Sequence, residues 1–292
     1  MRTGGVDFVL RSDPARTAQR IAALDAYFRG AVLDGQSFRC QHRAACRRSH
    51  PGTLFEGQLH HVGAQFDLFL NDVPCRIVVV GQEYGHGPGG VSLADRHAMI
   101  RAVGTDRRFR ADAARPGRNP HMRATTSLLR LLLGRGLGAD YAGEFVSLVG
   151  SPVHVFETFA LVNFLLCSAV SNPDSAVFRG GQRGRSTPAM REACAEHFRA
   201  ALTLLQPTIL IAQGRAVRRW LGTVLDEAEP IPGTLPLEHV RFGERRALLA
   251  SFVHPAAPTR DNWGGVAEQL YLRHTVAPTI AALQVAAGIL IG

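Results

Sequence analysis

The chain has 292 residues, 46% hydrophobic and 20% charged, which suits one large domain with a substantial buried core. Its net charge of +9 and pI near 10.3 favour an anionic partner, most often a nucleic acid. All 33 basic residues are arginine, which excludes a Schiff-base mechanism through a lysine amine.

Cysteine usage and hydropathy indicate the compartment. Five cysteines in a chain of this length do not make a disulfide framework, and no signal-peptide pattern opens the sequence. The apolar residues 276–292 include Pro278 and Gln284, so they predict a packed helix and not a membrane span. We therefore expect a cytoplasmic protein in a reducing setting, without a membrane partner.

Helices and strands are predicted to alternate. Helical spacing of apolar residues predicts helices over 12–30, 93–102, 119–133, 189–205, from 215 and from about 265. Apolar, β-branched runs bounded by Gly or Pro predict strands over 76–80, 159–167, 207–212 and 247–253. This alternation predicts a three-layer α/β/α sandwich with a central, mostly parallel four-stranded sheet.

We expect a single domain over residues 1–292, with an N-terminal helical extension (1–37) and a C-terminal helix (264–292). Residues 38–51 are dense in Cys, His and Arg and cannot form a core element. This segment is a metal clamp, a phosphate-binding surface, or both. A second basic loop is expected over 171–188.

Polar residues follow three of the predicted strands. Gln82 and Glu83 come after the first strand, Asn163 interrupts the second, and His254 ends the last. Ligands of parallel sheets bind at the carboxyl ends of the strands, so we expect these side chains to line one functional edge.

These segments resemble the uracil-DNA glycosylase superfamily. Gly81-Gln82-Glu83-Tyr84-Gly85-His86-Gly87-Pro88 is similar to the first catalytic motif of that superfamily, and His254-Pro255-Ala256-Ala257 is similar to its His-Pro-Ser motif. Leu161-Val162-Asn163 resembles the strand whose asparagine reads uracil. Asn163-Phe164-Leu165-Leu166-Cys167, followed by Cys194, is most similar to the iron–sulfur (family 4-like) branch. The similarity extends from about residue 38 to residue 262.

The resemblance implies a [4Fe–4S] cluster, with two ligands before the first motif and two after the asparagine strand. Its ligands would be Cys40, Cys46, Cys167 and Cys194, which leaves Cys75 free. The spacing within each pair is longer than in that branch, so zinc, or buried cysteines with no metal, are the alternatives.

The resemblance also implies a monofunctional glycosylase that hydrolyses the N-glycosidic bond of uracil, or of another deaminated or 5-substituted base, in DNA. Glu83 would orient the attacking water, and His254 would donate a hydrogen bond to the departing base. Asn163 would read the base edge, together with Gln82, Tyr84 and Gly85. His121 stands where a stacking aromatic is expected. The expected phosphate contacts are Arg47, Arg48, Arg183, Arg185 and Arg260.

Two points stay open at this stage. The branch without iron places its acid third in the first motif, where Glu83 stands, whereas the iron–sulfur branch places it second, where Gln82 stands. We expect Glu83 to hold the water. The alternative function is a non-catalytic module that binds damaged or single-stranded DNA. In either case we expect a monomer.

Overall fold

The computed structural model describes residues 8–35, 37–50, 53–57, 59–83, 92–109, 117–170, 186–234, 236–257, 261–264 and 269–290. The expected base-binding residues Tyr84 and Gly85 and the expected phosphate contacts Arg183, Arg185 and Arg260 lie outside these ranges.

The described residues form seven α-helices. They are α1 (Pro14–Ala31), α2 (Arg43–Ser49), α3 (Leu93–Thr105), α4 (Pro120–Leu132), α5 (Pro188–Leu205), α6 (Arg215–Leu221) and α7 (Ala277–Ala286). Six of them lie at or near predicted helices; the seventh, α2, lies within residues 38–51, where no helix was predicted, and it buries Cys46 in the core. A π-helical segment, Leu272–Val276, leads directly into α7. No helix of the described ranges is long and apolar enough to cross a membrane.

Sixteen short strands accompany these helices in the described residues. They are β1 (Leu10–Ser12), β2 (Leu33–Asp34), β3 (Ser37–Phe38), β4 (Thr53–Phe55), β5 (His61–Val62), β6 (Leu68–Leu70), β7 (Val73–Pro74), β8 (Ile77–Gly81), β9 (Phe145–Leu148), β10 (Ser151–His154), β11 (Phe159–Asn163), β12 (Ser168–Val170), β13 (Ile209–Gln213), β14 (Glu227–Pro230), β15 (Leu237–Phe242) and β16 (Arg245–Phe252).

The central sheet corrects the prediction of a four-stranded sheet. It has seven strands in the order β14-β15-β16-β13-β8-β11-β5 and is mixed. The inner four, β16, β13, β8 and β11, pair in parallel, whereas β14, β15 and β5 add antiparallel pairs at the two ends. The added strands are short or carry charged residues, so they lack the continuous apolar run that identifies a buried strand in a sequence.

The second predicted strand is shorter than expected. β11 ends at Asn163, because its partner β8 ends at Gly81, in register with Asn163. The next two amides, of Phe164 and Leu165, donate to the carbonyl oxygens of Gly81 and Gln82. Residues 168–170 then form a separate pair, β12 with β4.

Both faces of the central sheet are covered. On β8, Val78 and Val80 pack with Leu24 and Phe28 of α1, whereas Ile77 and Val79 face the opposite core. That opposite core contains Leu128 and Leu129 of α4 and Ile280 and Leu283 of α7. A strand buried on both faces reads as an uninterrupted apolar run, which is why the sequence identified β8.

Three of the helices begin in the same way. Asp13, Asn119 and Thr187 each accept a hydrogen bond from the backbone amide three residues later, and a proline follows each of them. A cap side chain satisfies an amide that the first helical turn leaves without a partner, and proline fits the first helical position. This sequence pattern sets where α4 begins, and therefore where His121 lies.

Candidate active site

The carboxyl ends of β8 and β11 bring Asn163 against Gly81. The two residues are in register, and a Cβ atom added to residue 81 would lie 2.6 Å from Oδ1 of Asn163. Asn163 is 4% exposed, so a buried amide lies at the end of this strand pair. A buried amide group needs hydrogen-bond partners, which makes it suited to reading a polar ligand.

Glu83 follows β8, and the pKa of its carboxyl group is well above the ordinary value. Burial raises the pKa of its carboxyl group to about 7. Two hydrogen bonds act in the opposite direction: the amide of Ala169 donates to Oε2 at 3.1 Å, and Nε2 of Gln82 donates to Oε1 at 3.1 Å. A carboxyl group that changes charge near neutral pH can act as a general base.

His254 follows β16 and contacts His121 of α4. Their Nε2 atoms are 2.8 Å apart, and the ring centroids lie 4.4 Å apart at 88°, an edge-to-face arrangement. Nδ1 of His121 lies 2.9 Å from Oε1 of Gln213, the last residue of β13. Burial lowers the pKa of both imidazoles, that of His254 to about 4. Both rings are therefore neutral at physiological pH.

The parallel strands place these groups on one edge of the sheet. Four neighbouring strands, β11, β8, β13 and β16, end on this edge. Asn163, Gly81 and Gln213 are the last residues of the first three, and His254 follows the fourth. Strands are spaced about 4.8 Å apart, so this edge extends roughly 14 Å from β11 to β16. Within the described residues, no hydrogen bond joins Glu83 or Asn163 to the His121–His254 pair.

Gln213 and Thr125 extend the set of site residues. Nε2 of Gln213 donates to Oγ1 of Thr125 at 2.9 Å, and both residues are buried. In the sequence, Gln213 is only the polar end of an apolar run. The signal that identifies it is the one that identifies Asn163, an amide at the carboxyl end of a core strand.

Four of the five cysteines are the expected metal ligands, and they lie on or beside α2, α5 and the end of β11. Cys46 lies on α2, Cys194 on α5, Cys167 after β11, and Cys40 before α2. Burial raises the pKa of each thiol, and Cys40 and Cys46 further raise the pKa of Cys194, to about 12. The pKa of Cys167 is likewise raised by Cys194 and Cys46.

Cys75 is apart from this group. It is fully buried in the core on the other face of the sheet, with Ile77 and Val79.

Four sulfur donors, such as those of Cys40, Cys46, Cys167 and Cys194, suit an iron–sulfur cluster or zinc. Among the described residues, however, no three His, Cys, Asp or Glu side chains are arranged so that they could hold a metal ion.

The two described arginines among the expected phosphate contacts lie on α2. Arg47 is exposed, but its Nε lies 2.7 Å from Oε1 of Glu56, which also accepts from Arg43. Arg48 is exposed. The charge of Glu56 is therefore shared between two arginines, so a net positive charge remains on this surface.

No protein-family model matches the chain, and no curated protein matches it.

Proposed function

We propose that this protein is a monofunctional DNA glycosylase of the uracil-DNA glycosylase type, which removes uracil or another deaminated or 5-substituted base from DNA. The observation that carries the proposal is the set of groups on one edge of four parallel strands: an acid, a buried amide and a neutral imidazole. These groups suit hydrolysis of an N-glycosidic bond, since charge of opposite sign develops on the sugar and on the base and each charge can be stabilised separately.

Glu83 is assigned to the sugar side. With a pKa near 7 it is partly ionised at neutral pH, and the carboxylate can orient a water and stabilise the sugar cation. Gln82 contacts Glu83 through its side-chain amide, and this contact supports the ionised form. The assignment favours Glu83 over Gln82 as the group that holds the water, because a neutral amide cannot act as a base.

His254 and Asn163 are assigned to the base side. A neutral imidazole with its proton on Nε2 can donate a hydrogen bond to the base oxygen on which negative charge develops. The side chain of Asn163 offers one donor and one acceptor group, which match O4 and N3–H of uracil and mismatch cytosine. A base reaches a buried amide such as that of Asn163 only when it is swung out of the DNA helix.

Further parts of the proposal follow from the sequence. We propose a [4Fe–4S] cluster held by Cys40, Cys46, Cys167 and Cys194, with zinc as the alternative, in a structural role that takes no part in hydrolysis. We propose DNA as the partner of a monomeric, cytoplasmic protein, contacted through the arginine-rich segments. Helices on both faces of the sheet support the three-layer organisation that the resemblance implies.

The second candidate function is a module that binds damaged or single-stranded DNA without cleavage. The observation in its favour is that Nε2 of His254 is already hydrogen-bonded to His121. The Nε2–H group of His254 would have to break its hydrogen bond to His121 before it could donate one to a base.

One assay separates the two functions. Single- and double-stranded oligonucleotides containing one uracil are incubated with the protein and then treated with alkali, which cleaves abasic sites. We expect cleavage with the wild type and a loss of roughly 100-fold or more in Glu83→Gln and His254→Ala, the range for removal of a group that stabilises the transition state.

Matched controls come from the far end of the sheet. Glu229 and His239 are exposed on β14 and β15, so Glu229→Gln and His239→Ala should keep full activity. Tight binding of the oligonucleotide without cleavage by the wild type would favour the binding module. Full activity of Glu83→Gln would remove Glu83 from the mechanism.

A further inference from the structure

One backbone amide fixes the protonation state of His254. The amide of Ala256 donates to Nδ1 of His254 at 3.1 Å. Because a backbone N–H can only donate, Nδ1 must be unprotonated and the ring proton of neutral His254 must be on Nε2. His254 is therefore a donor at Nε2.

This assignment determines the next three hydrogen bonds. Nε2 of His254 lies 2.8 Å from Nε2 of His121, so His121 must accept there and carry its own proton on Nδ1. That proton is donated to Oε1 of Gln213 at 2.9 Å, and Nε2 of Gln213 donates to Oγ1 of Thr125. The ring N–H of each histidine and the side-chain amide of Gln213 therefore each have an acceptor.

We propose that His121, held by Gln213 and Thr125, is a positioning residue. It keeps the His254 ring in place, so that the Nε2–H of His254 can donate a hydrogen bond to a ligand oxygen. The proposal deepens the proposed glycosylase function and rests on it for the identity of that oxygen. When a base arrives, the acceptor changes from His121 to the base, and the tautomer of His254 stays the same.

The series also disfavours protonation of either ring. A proton added to Nδ1 of His254 would face the Ala256 amide, and a proton added to Nε2 of His121 would face the donor of His254. The lowered pKa values of both imidazoles agree with this, with burial as the main cause. Within the described residues, His121 is the one titratable group that shifts the pKa of His254.

The position of His121 supports this assignment over a contact made by chance. It is the second residue of α4, whose start is fixed by the Asn119 cap and Pro120. Thr125, one turn later on the same helix, is fully buried and accepts from Gln213. One helix therefore supplies both ends of the connection to β13.

The test uses two-bond ¹H–¹⁵N spectra of the full-length protein, with histidine signals assigned by single substitutions. In the wild type we expect His254 as the Nε2–H tautomer and His121 as the Nδ1–H tautomer. His121→Phe keeps a ring of similar size but removes the acceptor. We expect it to abolish the hydrogen-bonded Nε2–H signal of His254 and to shift the pKa of His254 upwards from about 4.

Two further variants separate positioning from a loss of folding. His121→Gln places an acceptor oxygen near the former Nε2 and should restore the Nε2–H signal. Gln213→Leu leaves both rings present but should release His121 from its Nδ1–H tautomer. In the uracil assay, His121→Phe should lower kcat with little change in KM, and His121→Gln should recover it.

The outcomes distinguish the two proposals. His121 found as the Nε2–H tautomer, or a His254 signal and pKa unchanged by His121→Phe, would overturn the positioning role. A wild type with the expected spectra but no uracil excision would reject the glycosylase and leave the hydrogen-bond series intact. Excision that is unaffected by His121→Phe, with His254 signals also unchanged, would reject the positioning role alone.

Discussion

The side-chain oxygen of Asn163 lies against Gly81 so closely that a Cβ atom on residue 81 would be 2.6 Å from it. The two residues are in register on neighbouring parallel strands, so the contact is built into the pairing of β8 with β11. Only a residue without a Cβ atom lets the amide lie there.

The first prediction concerns this contact. Gly81→Ala should displace the amide of Asn163 and lower uracil excision by roughly 10-fold, since one ligand hydrogen bond is worth about 1 to 1.5 kcal/mol. Kinetics with uracil oligonucleotides and a thermal melt measure the two effects. Gly30→Ala is the control, because a Cβ atom there meets nothing within 4 Å. An equal loss of activity in both variants would refute the prediction.

The second prediction concerns Glu83 and pH. The folded-state pKa of about 7 lies above the ordinary value of 4.5, so between these values the folded state binds more protons than the unfolded state. The wild type should therefore lose stability as pH rises from 4.5 to 7, by up to about 3 kcal/mol. Glu83→Gln should lack this loss. Urea unfolding at pH 5 and pH 8 measures it, and parallel curves for the two proteins would contradict it.

The third prediction concerns a buried ion pair that is not among the candidate site residues. Glu144 accepts from Arg118 at 2.9 and 2.8 Å and contacts His154 at 2.9 Å, and all three side chains are buried. Glu144→Gln leaves Arg118 charged and unpaired, which should cost about 3 to 5 kcal/mol of unfolding free energy.

Adding Arg118→Met to Glu144→Gln is the matched control for this pair. It removes the unpaired charge, so the double variant should be more stable than Glu144→Gln alone. Chemical unfolding of the three proteins completes the comparison. Equal stability of the single and double variants would show that the charge is not the cause.

The fourth prediction concerns His60, which is fully buried with its ring 5.1 Å from that of Phe28. Neither of its ring nitrogens has a hydrogen-bond partner among the described residues, and burial lowers its pKa to about 3. Between pH 6.5 and 3 the unfolded state takes up a proton that the folded state does not, so stability falls as the pH falls.

His60→Phe should remove this dependence and raise stability by about 1 to 3 kcal/mol, since it also removes a buried polar group without a partner. Thermal melts at pH 5 and pH 7 measure both effects. His239→Phe is the control at an exposed position. A loss of stability in His60→Phe at both pH values would indicate overpacking instead.

The fifth prediction concerns the cysteines. If four thiols hold an iron–sulfur cluster, protein purified without oxygen should contain iron and acid-labile sulfide and absorb visible light. Cys194→Ala should lose this content, whereas Cys75→Ala, also buried, should keep it. Zinc in place of iron would support the alternative metal. Wild type without any metal would leave the cysteines as free thiols that bind no metal.

The strand β8 and the polar residues that end the core strands could be predicted from the sequence, because the patterns that indicate them are local. A run of β-branched residues buried on both faces is identified by composition alone, and a polar residue that ends such a run marks the functional edge. Likewise, a capping residue followed by proline predicts where a helix begins. The placement of Glu83, Asn163 and His254 at the carboxyl ends of core strands was predicted in this way.

The number and direction of the other strands could not be predicted in the same way. Glu227–Pro230 is exposed along its length and joins the sheet only through its pairing with β15. Its residues carry no apolar run, so its strand conformation depends on a partner edge and not on its own propensity.

Composition established the arginine-only basic charge, and local sequence patterns established the alternation of helices and strands and the polar residues that end the core strands, since these patterns depend only on neighbours along the chain. Tertiary structure alone decided that His121 meets His254 and Gln213, and that burial brings the pKa of Glu83 to about 7. Both depend on residues distant in the chain, because hydrogen-bond partners and desolvation are set by what packs around a group.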